Sequence, residues 1–84
     1  MADLTSMRNI GKELENKLKS IGIDCAEELM ELGSKEAFFR LKLHHSNVCL
    51  VHLYALQGAV DNIEYNHLPD DVKNDLKSFS ENLK

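Results

Sequence analysis

Strand-like alternation is nowhere sustained in this chain, which argues against a sheet. No apolar run approaches the length that spans a bilayer, so no membrane partner is expected. No basic segment leads into an apolar stretch at the start, so a secretory leader is not expected. One proline and four glycines are too few for a low-complexity linker, and no internal repeat suggests a solenoid. The two cysteines, Cys25 and Cys49, form no C-x-x-C pair. Both fall in helical patterns, where a small thiol is expected to be buried and inert. With no leader and no disulfide framework, the expected compartment is the cytoplasm. No Cys or Ser stands beside an activating base in a usable pattern. No catalytic residue, no cofactor and no enzyme activity are therefore expected.

What is present is helical periodicity. The 84 residues suffice for one domain, and 43% of them are apolar. The spacing predicts an all-α fold, a compact bundle of about five or six short helices. Residues 2–7 suit a short first helix, with Leu4 and Met7 on one side. Asn9-Ile10-Gly11 breaks it, since Asn and Gly tolerate the left-handed region that a tight turn needs. Residues 11–20 follow as a second helix, with Ile10, Leu14, Leu18 and Ile21 in one apolar stripe. Gly22 sits where a left-handed C-cap belongs. Asp24 with Glu27 reads as a capping box opening the third helix, which Gly33 closes. Ser34 onward carries Ala37, Phe38 and Leu41, and Ser46 or Asn47 is the expected cap of the next helix.

That helix, about Val48–Val60, is apolar nearly all round, which predicts a central, buried element with Leu53 and Leu56 deep in the core. Gly58 and Ala59 are small enough to let another helix approach closely. Pro69 suits the first position of a last helix, with Asp70 and Asp71 favouring its dipole.

Charge bears on partners. The net charge is −4. The imbalance lies in residues 46–84, where Lys73, Lys77 and Lys84 face Asp61, Glu64, Asp70, Asp71, Asp75 and Glu81. The first half is nearly balanced, with seven basic residues against eight acids. A nucleic-acid face needs basic residues to displace counterions from phosphates, so it would have to lie in that half.

Asn9-Ile10-Gly11, Ile21-Gly22-Ile23, Glu28-Leu29, Leu32-Gly33, the segment Leu53-Tyr54-Ala55-Leu56-Gln57-Gly58-Ala59, and Leu68-Pro69 occur in that order. In this the chain resembles the C-terminal domain of the TfoX/Sxy family, bacterial regulators of DNA uptake and natural competence. The match runs from about Leu4 to Leu76. The resemblance implies a helix-hairpin-helix-like N-terminal half and a regulatory role. In two-domain members this domain follows an N-terminal α/β domain. Tyr54 and Tyr65 stand where the family is expected to favour tryptophan, and Gln57 where it favours glutamate.

Helix-hairpin-helix turns aim main-chain N–H groups at a phosphate. Carried over, Asn9, Ile10 and Gly11 would supply amides, and Arg8 and Lys12 would supply charge. Asn9 stands where the fuller glycine-hydrophobic-glycine pattern has its first glycine. The other reading is a packing turn whose Ile10 plugs the core.

His45, Cys49 and His52, spaced four and three, could align metal-ligand types on one helix face, but the expected cap leaves His45 outside the helix, and no fourth ligand is near. No metal site is read, and His44-His45 is taken as a solvated loop pair. Residues 1–84 are therefore expected to form a single non-catalytic, interaction-type domain that binds a protein partner, with a monomer as the expected state. Weak, non-sequence-specific DNA binding through the Asn9-Ile10-Gly11 turn is the alternative.

Overall fold

The computed structural model describes residues 2–83. A 3-10 turn at Leu4–Ser6 precedes α1 (Lys12–Ser20), α2 (Ala26–Leu32), α3 (Ser34–His44) and α4 (Leu50–Asp61). A second 3-10 turn at Tyr65–His67 leads to α5 (Asp70–Asn82). The all-α expectation holds, and the described residues contain no strand. The first predicted helix is only a 3-10 turn, in which the buried Leu4 anchors the N-terminal segment.

Helix α1 ends as its glycine predicts. Gly22 has φ +92°, the Ile23 amide donates to Leu18 O at 3.0 Å, and the Gly22 amide donates to Lys19 O at 3.1 Å. This is a Schellman motif, and its two flanking apolar residues, Leu18 and Ile23, are both buried. Helix α4 ends in the same way with Asn62 in the left-handed position, φ +58°, and the Ile63 amide on Gly58 O at 2.8 Å.

The start of α2 departs from expectation by one residue. Cys25 is the N-cap, and Glu28, not Glu27, folds back to accept from the Asp24 amide at 3.2 Å. Glu27 is used elsewhere. Its carboxylate accepts from the Ala2 amide at 3.0 Å, while the Ala26 amide donates to Ala2 O at 2.9 Å. These bonds tie the N-terminal segment to α2. Gly33 alone links α2 to α3, capping the first and opening the second at φ +90°, a conformation that excludes most side chains.

Helix α4 begins later than predicted. Its cap is Cys49 rather than Ser46 or Asn47, and the His52 ring returns to the Cys49 amide at 3.1 Å. Val48 and Leu53, at the positions of a hydrophobic staple, are both buried. Leu53 and Leu56 are fully enclosed. The helix packs chiefly against α3, the second 3-10 turn and α5. It is not enclosed all round, since Val51 is half exposed and Leu50, Tyr54 and Val60 are half-buried. Pro69 caps α5 instead of occupying its first turn, and Asp70 and Asp71 stand at the dipole's positive end as predicted. Leu76 is the buried residue of α5, with Val72, Phe79 and Leu83 packed beside it.

Candidate functional site

The residues assigned to a hairpin contact lie between the first 3-10 turn and α1. Asn9 takes the left-handed conformation, φ +70°. Its side chain turns inward. Nδ2 donates to Ile63 O at 2.9 Å and to Ala55 O at 3.4 Å, and Oδ1 accepts from the Tyr65 amide at 3.2 Å. Ile10 is buried among core residues. Arg8 Nε donates to Asn62 Oδ1 at 3.3 Å. Arg8, Asn9 and Ile10 thus fasten the entry of α1 to the C-terminal turn of α4. Gly11 and Lys12 remain exposed.

Gly58 makes this fastening possible. A Cβ there would overlap Asn9 Nδ2 and Ile63 O. The helix expected against Gly58 is not there: its place is taken by an asparagine side chain and a loop carbonyl. The sequence reading treated Asn9 as a source of backbone amides and missed its side chain. The available signal was the pair itself, an asparagine in the turn and a glycine inside the most apolar helix.

Gly11 gives α1 no side-chain cap, so the first amides of that helix are free of side-chain partners. Glu13 and Glu15 occupy the same first turn. Glu13 receives a hydrogen bond and an ion pair from Lys17 at 3.1 Å, which hold its carboxyl below the usual carboxylate range. Lys19 reaches Glu15 at 3.8 Å. In front of the turn lies a groove of about 310 Å³, walled by Leu14, Val51, Ala55 and Tyr65 and edged by His52 and the Glu13–Lys17 pair. Its walls suit an apolar side chain better than a phosphate.

His52 and Cys49 stay together, but His45 turns to a different partner. His45 Nε2 lies 2.9 Å from Ser20 Oγ, while His52 Nδ1 lies 3.5 Å from Cys49 Sγ. His44 belongs to the last turn of α3 and His45 caps it, so they are not a loop pair. Among the described residues no group of three or more His, Cys, Asp or Glu is placed to hold a metal ion. Cys25 is buried as expected; the backbone hydrogen bond with Glu28 acts most strongly and lowers its thiol, but burial and the Glu28 and Glu27 carboxylates together outweigh it and leave the thiol raised. Cys49 is exposed, contrary to expectation, because it caps α4 at the surface instead of lying within it.

Sequence reading also passed over Phe39 and Leu43. Both face water, at 39% and 66% exposure. Their positions lie opposite Ala37, Phe38 and Leu41 on the helical wheel, a signal legible in the 3.6-residue period. Beside Phe39 opens a cleft of about 570 Å³ between α3 and α5, lined by Leu32, Lys35, Phe79 and Leu83. Lys35 Nζ bonds Asp75 Oδ2 at 2.7 Å and lies 5.5 Å from the centre of the Phe79 ring.

Short helices joined by tight left-handed turns define a small all-α helical module. The family described as the TfoX C-terminal domain matches residues 1–80, and the chain belongs to that family. Two crystal structures from Listeria monocytogenes are similar to it. One, a triclinic form of an uncharacterized protein, is 45% identical with a TM-score of 0.95, covering 98% of this chain and 93% of that one. The other, a tetragonal form of a protein of unknown function, is 44% identical with a TM-score of 0.94, covering 98% of this chain and all of that one. No curated protein matches the chain. No helix among the described residues is long and apolar enough to cross a membrane.

Proposed function

We propose that this domain is a non-catalytic regulatory module of the competence-regulator type, working in the cytoplasm by binding a protein partner. The observation that carries this reading is how the Asn9-Ile10-Gly11 turn is used. Its two side chains are committed to internal contacts, and the groove before it has apolar walls, with its one acid, Glu13, already paired to Lys17. Meanwhile Met30, Phe39, Leu43, Val51 and Tyr65 are large apolar side chains left in water. Such surface is characteristic of protein contacts when it is contiguous. The test is a pull-down from the native cell, with and without nuclease. The same protein retained in both arms supports the reading. Capture that disappears with nuclease overturns it.

A second reading rests on one observation, the uncapped start of α1 beside the exposed Lys12. Free helix-start amides attract phosphate, so weak, non-sequence-specific DNA binding is the alternative. The net charge of −4 weakens any such attraction. Titration of a labelled duplex at low and moderate salt tests it. Lys12→Glu should then abolish most binding, and Lys77→Glu, on the acidic half, should change little.

A further inference from the structure

The charge of the chain is not evenly spread. Helix α3 carries Lys35, Arg40 and Lys42 against Glu36 alone, in a protein of net charge −4. The outward apolar pair, Phe39 and Leu43, sits on this same helix, one turn apart. Lys35 and Lys42 flank the pair on one side of the helical wheel. Arg40, bonded to Glu36 at 3.0 Å, flanks it on the other. The row continues past Phe39 into the cleft against Phe79 and Leu83. The surface is thus an apolar stripe with a trough at one end, Lys35 and Lys42 along one edge, and the Arg40–Glu36 pair along the other.

We propose that this stripe is the docking face for an acidic amphipathic helix of a partner protein. This rests on the protein-partner reading above and adds the face and the chemistry. An amphipathic helix lies in an apolar groove through anchors spaced about one turn apart. One anchor enters the cleft between Phe39 and Phe79, and the next covers Leu43. Carboxylates beside those anchors meet Lys35, Lys42 and Arg40. Charge complementarity selects this occupant over others. A DNA duplex would gain nothing from the exposed Phe39 and Leu43, since its affinity comes from phosphate contacts. A second copy would bring its own acidic excess, but only to whichever of its faces carries it.

Lys35 also supplies a built-in competitor. Its ammonium is already paired with Asp75, and both side chains are substantially exposed. A partner carboxylate must share or displace that contact. Removing Asp75 therefore frees a cation for the partner, and binding should tighten, by about two- to five-fold for a single exposed pair. A merely structural role for Asp75 would not produce a gain.

The probe is a synthetic peptide helix of about five turns, with leucines at helical spacing on one face and glutamates on the others. Its controls are the same composition in scrambled order and the same helix with lysine for glutamate. Affinity is measured by titration with fluorescence anisotropy. Binding should be seen for the acidic helix alone, fall about tenfold or more in Leu43→Glu, weaken in Lys42→Glu and tighten in Asp75→Asn. Leu43 lies in water, so Leu43→Glu should keep the thermal midpoint, which is measured alongside. Binding that ignores Leu43→Glu and Lys42→Glu overturns the assignment of the face while leaving a protein partner in place. No binding of the acidic helix, or equal binding of the scrambled or lysine peptide, overturns the chemistry of the partner. Self-association or adhesion to phosphatidylglycerol vesicles that Leu43→Glu abolishes, without binding of the acidic helix, assigns the face to another occupant and also overturns the proposal.

Discussion

Replacing Asn9 separates two jobs that one residue performs. Asparagine tolerates the left-handed conformation of the turn, and its side chain holds Ile63 O and the Tyr65 amide. Asn9→Gly keeps the conformation and deletes the side chain. It also restores the glycine-hydrophobic-glycine pattern of a fuller hairpin. If the turn needed only flexibility, Asn9→Gly would be neutral. The structure predicts otherwise. Two good hydrogen bonds, at 2.9 and 3.2 Å, are lost from a half-buried site. At about 1 kcal/mol each, the loss is about 2 kcal/mol. The longer bond to Ala55 O, at 3.4 Å, adds little. Asn9→Ala loses the same bonds and also puts at positive φ a residue that tolerates the left-handed region less well than asparagine or glycine, for about 1 kcal/mol more.

An 84-residue domain has a total stability of about 4–12 kcal/mol, so both variants should be visible. Each kcal/mol moves the thermal midpoint by about 4–8 °C in a domain of this size. Urea and thermal melts followed by far-ultraviolet circular dichroism give the numbers. The expected order is wild type, then Asn9→Gly, then Asn9→Ala. Asn9→Gly within about 0.5 kcal/mol of wild type would refute the side-chain role. Asn9→Ala more stable than Asn9→Gly would refute the positive-φ argument.

Gly58→Ala gains about 1 kcal/mol of helix propensity but drives a methyl into Asn9 Nδ2 and Ile63 O, so chemical melts should show a net loss, and the loss should shrink in the Asn9→Gly background. Leu53→Ala empties a fully enclosed site in α4 and should cost about 2–5 kcal/mol by the same melts. Glu27 accepts hydrogen bonds from its own amide and from that of Ala2, which hold its carboxyl below the usual carboxylate range. A depressed carboxylate stabilises the fold above its unfolded value and loses that contribution as the pH falls through its folded value. The Ala2 amide resonance should therefore titrate below the usual carboxylate range in NMR spectra, and Glu27→Gln should abolish that step.

The helices were legible because their spacing and punctuation agree. Gly22 and Gly33 take the positive φ that their positions at helix ends predicted. The errors lie at N-termini. Asp24, Ser46 and Asn47 are good caps by composition, yet Cys25 and Cys49 hold those places. Val48 explains the second shift. Its burial beside Leu53 fixes where the chain enters α4, and the residue between the two anchors becomes the cap whatever its own preference. Tertiary packing outweighs a capping preference of about 1 kcal/mol. The half-exposed Val51 has a related cause. An apolar helix surface states only that water is disfavoured, and a chain of 84 residues has too few elements to cover every side of its central helix.

The candidate site was legible as a turn but not as a clamp, because periodicity reports on faces and says nothing of which side chain crosses between elements. Asn9 and Gly58 are 49 positions apart in the chain, and only their juxtaposition gives either residue its meaning. That juxtaposition also relocates the functional question. A side chain fixed by three internal bonds has little left with which to recognise a ligand. A leucine on the outer face of α3, 66% exposed and edged by cations, contributes nothing to the core and disfavours the isolated domain in water. The turn accounts for how this small fold holds its first helix in place. The outer face of α3 is where its chemistry is unspent.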